Sequence, residues 1–252
     1  MILDIYKDSF EYAAKDWKTL IVLGVFCLLS FLLIPIFLIT GYIYRVVDNA
    51  VHGVINGRDP LPEFNDIVDM FIDGVKVVIV QIVYLIVPII IFLIFAAIAS
   101  SLNNAIGAVI MMLGCLISII VGIICCLMTQ MGICHMAYND GAFSKAFEIR
   151  EIKEVIDEIG WFNCIITYLG LIIITVSIAS VVTIIIGLIF TILGFSGAIL
   201  GSATAGGMMA AATGGIFILG ILMNIFVSMF IVGPYLSIFN YRSIGLLYTM
   251  QI

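Results

Sequence analysis

Charge is so sharply segregated along this chain that the class of fold follows from it. Every Lys, Arg, Asp and Glu lies within 4–18, 45–76 or 140–158, or at Arg242, and the stretches 77–139 and 159–241 contain none. Crossing a hydrocarbon core of about 30 Å takes about 20 apolar residues at about 1.5 Å of rise each, so each charge-free stretch has room for two helices. The polar run Ser100-Ser101-Leu102-Asn103-Asn104 divides the first into membrane segments 75–99 and 106–136. The Gly-rich stretch from Gly194 to Gly215 divides the second into 161–192 and 216–240, and is open to two readings, an external turn or a small-residue face for close helix packing. A soluble domain is about a quarter charged, whereas this chain is 10% charged and 64% hydrophobic. The expectation is one all-α, polytopic membrane domain over 1–252, multi-pass in the cell membrane.

Orientation follows from the cationic residues, which collect on the cytoplasmic side of membrane proteins. Arg45, Arg58, Lys76, Lys145, Arg150, Lys153 and Arg242 belong to connections on one side of the two hairpins, and the uncharged turns belong to the other. The segment 19–47 is interrupted by Pro35 and admits two readings. As a single tilted span it would leave Lys7, Lys15 and Lys18 outside, and as a Pro-turned re-entrant hairpin it would put all 10 Lys and Arg inside. The same-side arrangement is preferred, with protein shielding the re-entrant backbone.

Three segments show helical periodicity beside the membrane segments and are expected to lie in the interface as amphipathic helices. In 1–18, Ile2, Ile5, Tyr6, Phe10, Ala13 and Trp17 share one side, opposite Asp4, Lys7, Asp8, Glu11, Lys15 and Lys18. In 62–74 the stripe is Phe64, Ile67, Val68 and Phe71, opposite Glu63, Asp66, Asp69 and Asp73. In 143–160 it is Ile149, Ile152, Val155, Ile156 and Ile159, opposite Glu148, Glu151, Glu154, Asp157 and Glu158. The order of amphipathic segment and then apolar hairpin recurs, a pattern of internal duplication with little residue identity.

The run Gly41-Tyr42-Ile43-Tyr44-Arg45, then Gly57-Arg58-Asp59-Pro60-Leu61-Pro62-Glu63-Phe64, then Asp69 to Lys76 and a membrane segment with Tyr84 and Pro88, resembles the archaeal domain-of-unknown-function 4013 family. The resemblance implies an integral membrane protein, archaeal in origin, with no catalytic residues to carry over.

Few constellations in the chain carry chemistry. Met128, Met131 and His135 share a helical face and would suit a soft metal such as Cu(I), although buried methionines and an interfacial histidine account for them more simply. Glu63, Asp66, Asp69 and Asp73 could gather a divalent cation, although a solvated face explains them without one. The six cysteines fall in apolar runs and form no disulfide framework. With 10 basic against 16 acidic residues there is no basic field for nucleic acid. No nucleophile, base and orienting partner assemble from the sequence, so no catalytic, cofactor or metal residues are assigned and an enzyme is not expected. The leading expectation is a non-enzymatic membrane scaffold or accessory protein that meets the bilayer and a partner at the membrane or its cytoplasmic side. The alternative is a channel or facilitative transporter for a small neutral solute, suggested by the amide and hydroxyl residues of 163–183.

Overall fold

The computed structural model describes residues 2–57, 59–102, 105–201 and 208–251, and among them every regular element is helical. In chain order these are α1 (Ile2–Ala13), α2 (Trp17–Leu28), α3 (Ile34–Val51), α4 (Ile67–Leu102), α5 (Ala105–Tyr138), α6 (Ile149–Ile159), α7 (Trp161–Gly201), α8 (Met208–Val227) and α9 (Gly233–Tyr248). A π turn over Ser228–Val232 joins α8 to α9, so the chain is helical from Met208 to Tyr248. Pro234 supplies no N–H to the preceding turn, a common cause of such local widening.

The two expected hairpins form. α4 and α5 run antiparallel, with Gly122 against Pro88, Gly114 against Phe95 and Gly107 against Ala99. α7 and α8 do the same through Gly220 against Phe190 and Gly194 against Phe217. These helices exceed what a bilayer requires: the 36 residues of α4 reach about 54 Å and the 41 of α7 about 62 Å. The Gly-rich stretch after Gly194 is not an open turn where it is described, because 194–201 and 208–215 continue the two helices. Residues 202–207, and Asn103 and Asn104 of the other expected turn, lie outside the described residues.

The segment 19–47 folds back on itself. α2 ends at Leu28, a 3-10 turn occupies Ser30–Leu32, Leu33 takes φ 66, and Pro35 sits in the first turn of α3, where a missing N–H costs nothing. Thr19 of α2 lies beside Tyr42 of α3, and the two are equidistant from the turn, so the pair is antiparallel. With 12 residues, about 18 Å, α2 cannot cross a bilayer. α3 is long and apolar enough to cross by itself, yet its second half carries Arg45 and Asp48 and is buried in the polar end of the molecule. The architecture is therefore four long spans and one short hairpin entering from the polar end.

Two of the expected amphipathic segments are built differently. The 1–18 segment breaks after Ala13, because Asp16 caps α2 by accepting from the Lys18 N–H at 2.9 Å and the Thr19 hydroxyl at 2.8 Å. Its face is also rotated: Ile5, Asp8, Tyr12 and Ala13 are buried, while Trp17 is exposed. The 62–74 segment is no separate helix. Residues 62–66 are non-helical, Asp66 takes φ 46, and from Ile67 the helix runs unbroken into the span. Its buried positions are Met70, Gly74, Val77, Val80, Tyr84 and Pro88, whereas Ile67 and Val68 are exposed. In 143–160, a 3-10 turn over Phe143–Phe147 precedes α6, which buries Ile152, Val155, Ile156 and Ile159 and leaves Ile149 exposed.

The core lies at the polar end, where α1, α3, α6, α9 and the adjoining ends of α4 and α5 meet around Tyr42, Val46, Met70, Met136, Ile152 and Phe239. Beyond that core the hairpins stand apart, and no residue in the most apolar 18-residue stretch of α7 is buried within the protein. This is what the solvent dictates, since lipid tails satisfy an apolar face as well as another helix does.

Candidate functional site

The lone charge at the end of the second apolar stretch organises the polar end. Arg242 on α9 is completely buried. Its Nε donates to Asp8 Oδ1 of α1 at 3.2 Å, its Nη2 to Asp59 Oδ2 at 2.9 Å, and its Nη1 to the Asn49 carbonyl of α3 at 3.3 Å. The guanidinium also lies 4.4 Å from the centre of the Tyr12 ring. A buried cation is tolerated when it is paired and its donors are used, and here two carboxylates, a carbonyl and a ring share it. The second oxygen of Asp8 accepts from the Asn56 N–H at 2.7 Å. At Gly53 a Cβ would stand 2.8 Å from Asp59 Oδ2 and 2.7 Å from the Asn49 carbonyl, so the hub requires glycine there.

The loop after α3 is held to this hub through its backbone. Tyr12 donates to the Pro60 carbonyl and Tyr42 to the Pro62 carbonyl, both at 3.0 Å, and Lys15 donates to the Asp59 carbonyl at 2.9 Å. Arg45 donates to the carbonyls of Glu63, Asn65 and Asp66 at 3.2, 2.8 and 3.2 Å. Phe64 stacks on Tyr42 with ring centres 4.4 Å apart. The carbonyls before Asp66 are engaged by side chains instead of a helical ladder, and the Asp66 carbonyl is the first to accept a ladder bond, from the Met70 N–H at 2.9 Å, which is why the helix starts only at Ile67.

A second network joins α5, α6 and α9. His135 Nδ1 lies 2.7 Å from the Tyr248 hydroxyl and Nε2 3.0 Å from Glu151 Oε2. Lys145 donates to Glu151 at 2.9 Å and to Glu148 at 2.8 Å. The Lys145 ammonium, with help from His135, holds the Glu151 carboxyl down to about 2, from an ordinary 4.5.

A third feature is uncharged. Where the two long hairpins meet, a groove of about 230 Å³ is lined by Gln130, Tyr168, Leu171, Ile172, Thr175, Asn240 and Tyr241, among others. A neighbouring one of about 260 Å³ is lined by Gln81, Leu85, Pro88, Cys125, Cys126, Thr129 and again Gln130. Gln81 Nε2 donates to the Tyr241 hydroxyl at 3.4 Å, Thr175 donates to Asn240 Oδ1 at 3.0 Å, and Gln130 Oε1 is buried without a partner.

Of the residues singled out from the sequence, Met131 is packed in the core and both ring nitrogens of His135 are engaged by Tyr248 and Glu151, so no soft-ligand face opens. Glu63 and Asp66 lie in the non-helical loop, Asp69 is in the first turn of α4, and Asp73 pairs with Lys76 at 3.0 Å, so the four do not form one helical face. Sequence reasoning missed the hub of Arg242, Asp8 and Asp59. The available signal was the isolation of Arg242, since one cation beyond 83 uncharged positions, 159–241, must find a counter-charge at a distance. Asn240 and Tyr241 were missed as well, being masked by their apolar surroundings.

Fold and site together define a polytopic all-α membrane protein with a cross-braced polar end. The chain belongs to the family described as "Protein of unknown function (DUF4013)", whose model matches residues 28–191. Comparison with curated proteins and with solved structures returned no match.

Proposed function

We propose that the chain is a non-enzymatic scaffold or accessory protein of the cell membrane, whose polar end is a rigid platform for a partner. The observation that carries this reading is that five of the basic side chains there are committed to structure. Arg242, Arg45, Lys15, Lys145 and His135 are all bound to fixed carboxylates, carbonyls or a hydroxyl. A catalytic acid or base needs access to a reacting atom, and these are held by the fold instead. What is left facing outward on α6 carries a slight acidic excess: Glu154, Asp157 and Glu158 are exposed with Arg150 and Lys153, which pair with Glu154 at 3.2 Å and Asp157 at 3.8 Å, above the buried Ile152, Val155 and Ile156. A platform of this kind favours a basic partner at the cytoplasmic side, with α6 lying in the interface as an amphipathic helix. Purification from native membranes in mild detergent is expected to retain a partner that is lost on reversing Glu154 and Glu158 to Lys. A chain that purifies alone under all mild conditions would count against the reading.

The uncharged grooves give a second reading some ground, facilitated passage of a small neutral solute. Liposomes containing the protein would then equilibrate such solutes faster than empty ones. Equal rates over a broad panel would dispose of it.

A further inference from the structure

We infer that the two grooves that share Gln130, one between α5, α7 and α9 and the other between α4 and α5, bind the uncharged hydroxylated head of a neutral glycerolipid, with its chains lying along α4 and α7. This goes beyond the scaffold reading and does not depend on it. The chemistry of the lining sets the class of ligand: amides, phenols, two threonine hydroxyls and two cysteine thiols are present, and no carboxylate, amine, guanidinium or imidazole. An anionic or cationic head would have no counter-charge there, whereas hydroxyls would find both donors and acceptors.

Gln130 lines both grooves and is the sharpest indicator. Gln81 Nε2 donates to the Tyr241 oxygen, and the Gln130 carboxamide also reaches it, while Gln130 Oε1 is buried with no partner. Turning that amide over does not solve the problem, because its oxygen would accept from Tyr241 and its NH₂ would be stranded instead. A ligand hydroxyl is donor and acceptor together and satisfies either arrangement. Pro88, on the wall of the second groove, adds to the demand, since it supplies no N–H to the carbonyl one turn earlier.

Depth decides between a lipid and a free solute. Gln81 lies five residues beyond Lys76, and Gln130 five before His135. At about 1.5 Å per residue each amide sits about 8 Å inside the last ionisable group, where headgroup region gives way to hydrocarbon. The glycerol of a lipid occupies that level. Leu85, Ile172 and Val176 at the rims are exposed, which leaves both grooves open sideways to the acyl region.

The test is native mass spectrometry of the detergent-purified chain with dioctanoylglycerol, free glycerol and short-chain phosphatidylglycerol as separate probes. Dioctanoylglycerol is expected to remain bound, and Gln130→Met or Tyr241→Phe to weaken it about tenfold, as loss of a buried polar contact should. Thr40→Val, away from the grooves, is expected to bind as the parent does. The unfolding temperature of Gln130→Met, which gives up its contact with the Tyr241 oxygen, is read beside the binding, and Tyr241→Phe serves if that variant fails to fold. Free glycerol binding as well as the lipid would overturn the lipid assignment in favour of a solute. Tighter binding of phosphatidylglycerol would overturn the neutral class, and no adduct, or adducts indifferent to both substitutions, would overturn the site.

Discussion

Arg242 shows how much one side chain can determine in a chain poor in charge. Removing it by Arg242→Leu leaves Asp8 buried with no counter-charge, and breaking such a pair costs about 3–5 kcal/mol. The unfolding temperature in detergent should fall accordingly, and Asp8→Asn placed on top of Arg242→Leu should recover part of the loss, because two neutral groups replace an orphaned charge. No recovery would mean that the guanidinium acts chiefly through Tyr12 and the Asn49 carbonyl. Glu151 makes a different kind of contribution. Its carboxyl is held near 2 in the folded state and titrates at an ordinary 4.5 when unfolded, so its stabilisation is present above about 4.5 and disappears as pH falls towards 2. Glu151→Gln should therefore flatten the acid limb of the stability profile between those values and leave the neutral limb parallel to that of the parent. Both residues were visible in the sequence, but their partners were not: Asp8 and Arg242 are 234 positions apart, and no periodicity test reaches that far.

Among the elements, α4 shows most clearly what hydrophobic patterning can and cannot reveal in a membrane protein. The stripe of Phe64, Ile67, Val68 and Phe71 suggests the buried face, yet the protein buries Met70 and Gly74 and leaves Ile67 and Val68 outside. Two causes combine. Arg45 and Tyr42 capture the loop carbonyls and delay the helix start, and lipid makes an apolar face an unreliable guide to protein contact. What sets the face is the crossing of α3 and α4, where a Cβ on Gly41 would overlap the Met70 carbonyl and one on Gly74 the Phe37 carbonyl. Gly74→Ala should therefore sharply reduce folded yield, and Met70→Ala should destabilise by about 2–5 kcal/mol. Val68→Ala should be nearly silent in both assays. A Val68 effect larger than that of Met70 would return the register to the stripe. By contrast α6 was legible, because it flanks the core with one face wet, the condition under which periodicity reports burial.

For the whole molecule, the arrangement of charges reads out membrane class, the number of hairpins and the fold-back of the first segment, because each follows from the cost of placing charge in hydrocarbon. It does not read out where the hairpins touch, which depends on small residues and on a few amides. The topology makes a firm demand: the Ser101 end of α4 and Glu151 of α6 stand at opposite ends of the protein, separated by the length of α5. Single cysteines at Ser101 and Glu151, introduced into a chain lacking its six native free cysteines, should react with a membrane-impermeant thiol reagent from opposite faces. Labelling of both from one face would require a different path for α5.

The clamp between α1 and α9 also has a consequence in time. Ribosomes add about 5–20 residues per second, so Asp8 leaves the ribosome on the order of 10–50 s before the arginine that neutralises it. Throughout that interval both membrane hairpins can insert, while α1 and the loop bearing Asp59 wait with their carboxylates uncompensated. A stalled chain lacking α9 would thus be anchored and apolar-complete, yet recognisably unfinished by its unlatched first helix. It is α9, made after both hairpins, that lets α1 close.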